Sequence, residues 1–122
     1  ALRYEETAHQ TMDDLDFILR NLQMNEYLRE SARAAELVQE HLDQVHPGTN
    51  RGVKQHNRLA VLNTARRPAI LVEMGFATNP DDARLLASRK SQESLASAIA
   101  DAVVAYLLEY ERRTGSGSGG GQ

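Results

Sequence analysis

The chain has 122 residues, a formal net charge of −3 and 25% charged residues, which describes one small domain or part of one and offers no basic face for nucleic acid. Apolar stretches such as Ala69-Ile70-Leu71-Val72 are far too short to span a bilayer, and no apolar leader follows Ala1, so any export signal is expected upstream. The absence of cysteine removes disulfides and thiol catalysis.

In chain order, Thr11 with Asp14 resembles a capping box, and Leu15, Ile18, Leu19 and Leu22 recur at helical spacing. This predicts a short amphipathic helix over about 11–22. Asn25 is a candidate N-cap for a second helix with the stripe Leu28, Ala32, Ala35, Val38, Leu42 and Val45, ended by Pro47-Gly48. A polar loop follows, and then two short runs rich in branched side chains, Leu59-Ala60-Val61-Leu62 and Ala69-Ile70-Leu71-Val72. Both read as buried strands, with Pro68 opening the second.

Asn79 as N-cap, Pro80 at the first helical position and Asp81-Asp82 in the first turn predict a short helix. A last helix is expected from near Ser88 or Ser91 to about Arg112, with Leu95, Ile99, Ala102, Val103, Tyr106, Leu107 and Tyr110 along one stripe. Residues 114–122 are Gly/Ser-rich and read as a flexible tail or linker. The expected organisation is therefore one unit over 1–113 and a tail over 114–122. Two strands do not complete an α/β sheet by themselves, so either further strands come from sequence outside this chain, which is the favoured expectation, or the unit is mainly helical.

Glu73 is the candidate catalytic residue. It follows the apolar run directly and precedes Met74-Gly75-Phe76, where a glycine lets the backbone turn sharply. A carboxylate at the C-terminal end of a buried strand lies where α/β sheets build their sites, and partial burial would suit it to general base work. The same pattern also describes a surface glutamate paired with Arg51, Lys54 or Arg58. His41 and His46 are five apart, off the i, i+4 spacing of a helical metal pair, and His9 and His56 stand alone. His46 reads as a residue suited to the helix C-terminus. No metal ligand is assigned in this chain. No serine stands in a GxSxG elbow, and no phosphate-binding glycine loop occurs. Arg51, Lys54, Arg58, Arg66 and Arg67 read as a solvated surface rather than an anion site.

Three segments together carry a resemblance. They are Ser31-Ala32-Arg33-Ala34-Ala35-Glu36-Leu37-Val38-Gln39, then Arg51-Gly52-Val53-Lys54-Gln55 with Leu59-Ala60-Val61-Leu62, and then Arg67 to Asn79 with Asp82 and Leu85-Leu86. In order and spacing they resemble the zinc-dependent N-acetylmuramoyl-L-alanine amidases, cell-wall hydrolases that cut between N-acetylmuramic acid and L-alanine in peptidoglycan. The resemblance covers roughly 11–110 and implies an α/β domain with a mixed sheet between helices, of which this chain would carry about two strands and four helices. It maps the family's catalytic acid/base onto Glu73. It implies a zinc cofactor held by ligands upstream of this chain, peptidoglycan as substrate, a regulatory activator protein as a possible partner, and a periplasmic or extracellular location. His56-Asn57-Arg58 departs from the family pattern of a small residue and an aromatic before the Val-Leu run.

Two other classes stay open on the sequence alone. A catalytically inactive amidase-like module could bind peptidoglycan or a regulatory protein. A helical interaction domain with a short hairpin would need no upstream strands.

Overall fold

A computed structural model describes the backbone of residues 2–55 and 59–115 and the side chains of 13–55 and 59–115. Four helices follow one another: α1 over Leu2–Asp43, α2 over Ala60–Asn63, α3 over Pro80–Ala87 and α4 over Arg89–Arg113. Among the described residues none lies in a strand. The mixed sheet with about two strands is thus overturned, and the described chain is helical.

The first correction lies in α1. The segments expected as separate helices, over about 11–22 and from Asn25 onward, are one continuous helix of 42 residues. No glycine or proline falls between Leu22 and Asn25, and Gln23 and Met24 are good helix formers, so nothing there opens the hydrogen-bond ladder. α4 runs antiparallel to the second half of α1, pairing Arg33 with Glu109 and Glu30 with Arg113. At 1.5 Å per residue, α4 is about 37 Å long against about 63 Å for α1. The first half of α1 therefore projects past its partner, and its stripe of Leu15, Ile18, Leu19 and Leu22 is exposed.

The core forms where the two helices overlap. Leu37, Val38 and Leu42 of α1 meet Leu95, Ala98, Ala102 and Tyr106 of α4. Ala102 is wholly buried and Leu95 is 2% exposed. Small residues at 98 and 102, on one face of α4, let the helix axes approach closely. Val103, Leu107 and Tyr110, expected on the same stripe, are exposed. α3 packs on α4, and Leu85 and Leu86 add to the core from that side.

Both expected strands failed for want of a ladder. The run Leu59-Ala60-Val61-Leu62 closes instead into the helical turn α2. There Leu62 and Asn63 donate to the Leu59 carbonyl, and Thr64 donates to Ala60. Val61 is 67% exposed, so packing does not decide its conformation, and the turn satisfies its backbone locally. Residues 69–73 keep the alternation of a strand: Ile70 and Val72 pack on the core, whereas Leu71 and Glu73 are exposed. With the other run coiled into α2, no strand pairs with it among the described residues, and side chains hold this segment instead.

Two expected features hold in detail. Asn79 caps α3 by accepting from the amides of Asp81 and Asp82 at 2.9 and 3.1 Å, with Pro80 at the first position. Ser88 caps α4, which ends at Arg113.

Candidate active-site segment around Glu73

Segment 69–76 is tethered at three points, each by a side chain from a different part of the helical frame. Ser31, on α1, accepts from the Ala69 amide at 2.9 Å while its own hydroxyl donates to the Tyr27 carbonyl at 2.7 Å. The hydroxyl is therefore spent as a relay between helix and segment, not left as a nucleophile. At the far end, Asp82 of α3 accepts from the Phe76 amide at 3.0 Å. Between them, His46 Nε2 lies 2.7 Å from the Met74 carbonyl oxygen.

Gly75 makes the approach to Asp82 possible. Its φ is +154°, and a Cβ there would lie 3.2 Å from both Cβ and Cγ of Asp82. Only glycine fits both the backbone and the contact. The sequence reading placed a sharp turn at this glycine. The carboxylate that it meets, seven residues later, is a feature of α3 packing.

Glu73 sits between these tethers with its side chain exposed. No hydrogen bond or ion pair engages its carboxylate among the described residues, so a pairing with Arg51 or Lys54 does not form. Arg51 lies instead over the Phe76 ring, 4.5 Å from its centroid. Arg58 lies outside the described residues. The arrangement presents a carboxylate without a partner among the described residues, on a backbone held on both sides.

The expected zinc ligands lie upstream of this chain, so the fit of the residues present is a separate question. Among the described residues no three His, Asp or Glu side chains converge in a way that could hold a metal ion. His41 Nδ1 is 2.8 Å from the Leu37 carbonyl, and both ring nitrogens of His46 are engaged. The side chain of His9 and all of His56 lie outside the described residues. The described residues therefore do not fit a zinc site.

Elsewhere, an open groove of about 380 Å³ separates the C-terminal end of α1 from the start of α4, lined by His41, Val45, Lys90, Glu93 and Asp101 among others. Glu73 does not line it. No helix of the described chain is long and apolar enough to cross a membrane.

His46 is what the sequence reading missed. Its proximity to a helix end suggested a charge–dipole role, whereas it lies three residues beyond Asp43, the last residue of α1, and reaches a segment 28 residues away. The signal was present in His46-Pro47-Gly48, where a glycine two residues after a histidine leaves room for the ring to fold back on the chain.

A profile of the family described as N-acetylmuramoyl-L-alanine amidase matches residues 7–105. The chain is 30% identical over 80 residues to the germination-specific N-acetylmuramoyl-L-alanine amidase of Bacillus subtilis strain 168, covering 66% of this chain and 34% of that protein. It is 29% identical over 115 residues to the N-acetylmuramoyl-L-alanine amidase AmiA of Escherichia coli K12, covering 91% and 39%. With AmiC of Neisseria meningitidis serogroup B, named as the same activity, it shares 31% identity over 94 residues, covering 77% and 22%. The chain thus spans about two fifths or less of the length of these curated relatives. No solved structure matches it significantly.

Proposed function

The chain belongs to the N-acetylmuramoyl-L-alanine amidase family, and from that premise we propose that it serves hydrolysis of the amide between N-acetylmuramic acid and L-alanine in peptidoglycan, with Glu73 as the acid/base. The observation that carries the reading is the exposed Glu73 carboxylate, without a partner among the described residues and set between the tethers at Ala69, Met74 and Phe76.

Glu73 takes a proton from the attacking water as its oxygen bonds to the lactyl carbonyl carbon. The carbon–nitrogen bond then breaks, and the proton passes to the departing L-alanine amine. A carboxylate in this role contributes typically about 10²–10⁴-fold. Zinc dependence belongs to the same reading through the family alone. Since the described residues offer zinc no ligand set, the part assigned to this chain is confined to the carboxylate. A peptidoglycan substrate places the protein in the cell envelope, on the periplasmic or extracellular side, and an activator protein remains the partner that the family suggests.

The test is Glu73→Gln in the full-length protein, assayed on purified peptidoglycan for release of stem peptides with a free L-alanine amine. Release should fall by at least about 100-fold with the melting temperature unchanged, because the exposed side chain pairs with nothing else among the described residues. Near-normal release in a folded variant would remove Glu73 from the chemistry. Wall binding without release in the wild type would instead identify a non-catalytic module.

A further inference from the structure

We propose that His46 is a positioning residue for Glu73, acting through the Met74 carbonyl. The inference rests on the reading of Glu73 as the reactive carboxylate.

The ring is held from both sides. The Gly48 amide donates to Nδ1 at 2.9 Å. A nitrogen that accepts a hydrogen bond carries no proton, so the neutral ring bears its proton on Nε2. That N–H donates to the Met74 oxygen at 2.7 Å. The hydrogen-bond network thus selects one tautomer, and a protonated ring would set an N–H against the Gly48 amide.

Gly48 is part of the device. A Cβ there would lie 2.7 Å from Cε1 and 2.9 Å from Nδ1 of His46, so any side chain expels the ring. Asp82 lies close by, with Oδ1 3.7 Å from the same Cβ position. One small cluster, His46, Gly48 and Asp82, therefore grips the backbone at residues 74 and 76, just after Glu73.

The grip matters because no ladder holds the segment among the described residues. In a sheet, neighbouring backbones would fix the peptide planes on either side of a strand-end residue. Here the carbonyl of the peptide that follows Met74 is held by the imidazole of His46, three residues beyond the end of α1. Displacing a reactive group by about 1 Å can cost about 100-fold in rate without removing any group that touches substrate. No hydrogen bond joins His46 to the Glu73 carboxylate among the described residues, so the role proposed for it is positioning.

The experiment compares His46→Ala, His46→Gln, Gly48→Ala and Glu73→Gln in the full-length protein. Each is measured for kcat and KM on a soluble muramoyl-L-alanyl peptide, with a thermal melt. His46→Ala should lower kcat by about 10–100-fold with KM within about twofold. His46→Gln should recover most of that loss, because the amide Nε2 donates from nearly the same place to the Met74 oxygen. Gly48→Ala should reproduce the loss with the histidine still present. Wild-type kcat in folded Gly48→Ala and His46→Gln, or a loss that glutamine does not rescue, or a loss that falls on KM, each overturns the proposal. If His46→Ala does not fold, the other two variants decide it. Should Glu73→Gln retain activity, the underlying reading has failed instead.

Discussion

Arg113 closes on Glu30 with both terminal nitrogens, Nη1 2.7 Å and Nη2 2.9 Å from the two carboxylate oxygens. The Tyr106 hydroxyl donates to the same carboxylate at 2.6 Å. This joins the last turn of α4 to the middle of α1, where the protruding half of α1 begins. The arginine hydrogen bonds hold the Glu30 carboxyl at about 2, well under its ordinary 4.5, against an opposing push from burial. Burial and the same carboxylate raise the Tyr106 hydroxyl far above its usual value.

The sign of the acid response follows. A carboxylate with a lower pKa folded than unfolded adds stability that is complete above 4.5 and is lost as the pH falls toward 2. Melting temperature should therefore drop as the pH falls from 4.5 to about 2. In Glu30→Gln this part of the drop should flatten, with stability at neutral pH lower by about 1–2 kcal/mol. An acid limb of unchanged depth in that variant would show that other carboxylates set it.

Ser31→Ala leaves the partly buried Ala69 amide without its acceptor. The expected cost is about 1 kcal/mol. Hydrogen exchange at the Ala69 amide should accelerate while amides in α4 keep their protection. Uniform acceleration across the chain would mean that the serine supports the whole fold rather than the segment.

Gly75→Ala forces a side chain into a left-handed backbone position against Asp82. Strain of about 1–3 kcal/mol is expected, together with loss of the Phe76–Asp82 hydrogen bond. Amidase activity of the full-length protein should fall more steeply than its denaturant midpoint does. Unaltered activity would mean that the turn after Glu73 does not need this geometry.

Ala102 has no exposed surface where α1 and α4 approach. Ala102→Leu should cost about 1–3 kcal/mol by overpacking, and Leu95→Ala about 2–5 kcal/mol by leaving a cavity, both read as shifts in urea midpoint. Ala100, exposed on the same helix, is the control and should change by less than about 0.5 kcal/mol as Ala100→Ser. A silent Ala102→Leu would mean that the helices can separate freely there.

Chelation should separate the metal from this part of the fold. On the proposed zinc dependence, activity of the full-length protein should be lost on removing bound metal and return with zinc. The melting temperature of the isolated chain should not move, since its described residues form no ligand cluster. A chelator-sensitive melt of this chain would place a ligand in it.

Much of this protein was written locally. Asn79-Pro80-Asp81-Asp82 specifies a helix start through one side chain and two amides, and Ser88 starts α4 by accepting from the Ser91 amide, so both were legible from neighbouring residues. The order and spacing of the motif around Glu73 likewise marked the family, because that signal is linear. What tertiary structure alone decided was everything that depends on a distant partner. Whether residues 69–73 form a strand depends on a neighbour for their backbone, and the nearest candidate in sequence coils into α2 instead. Which side chains then hold the segment was settled by helix packing, which brings Ser31, His46 and Asp82 to one short stretch from 38 residues before Ala69 to 6 after Phe76. Periodicity tells which face of an element is apolar; it carries no information about how far a partner helix extends, and so the same pattern is core at Leu37, Val38 and Leu42 but exposed at Leu15, Ile18 and Leu22.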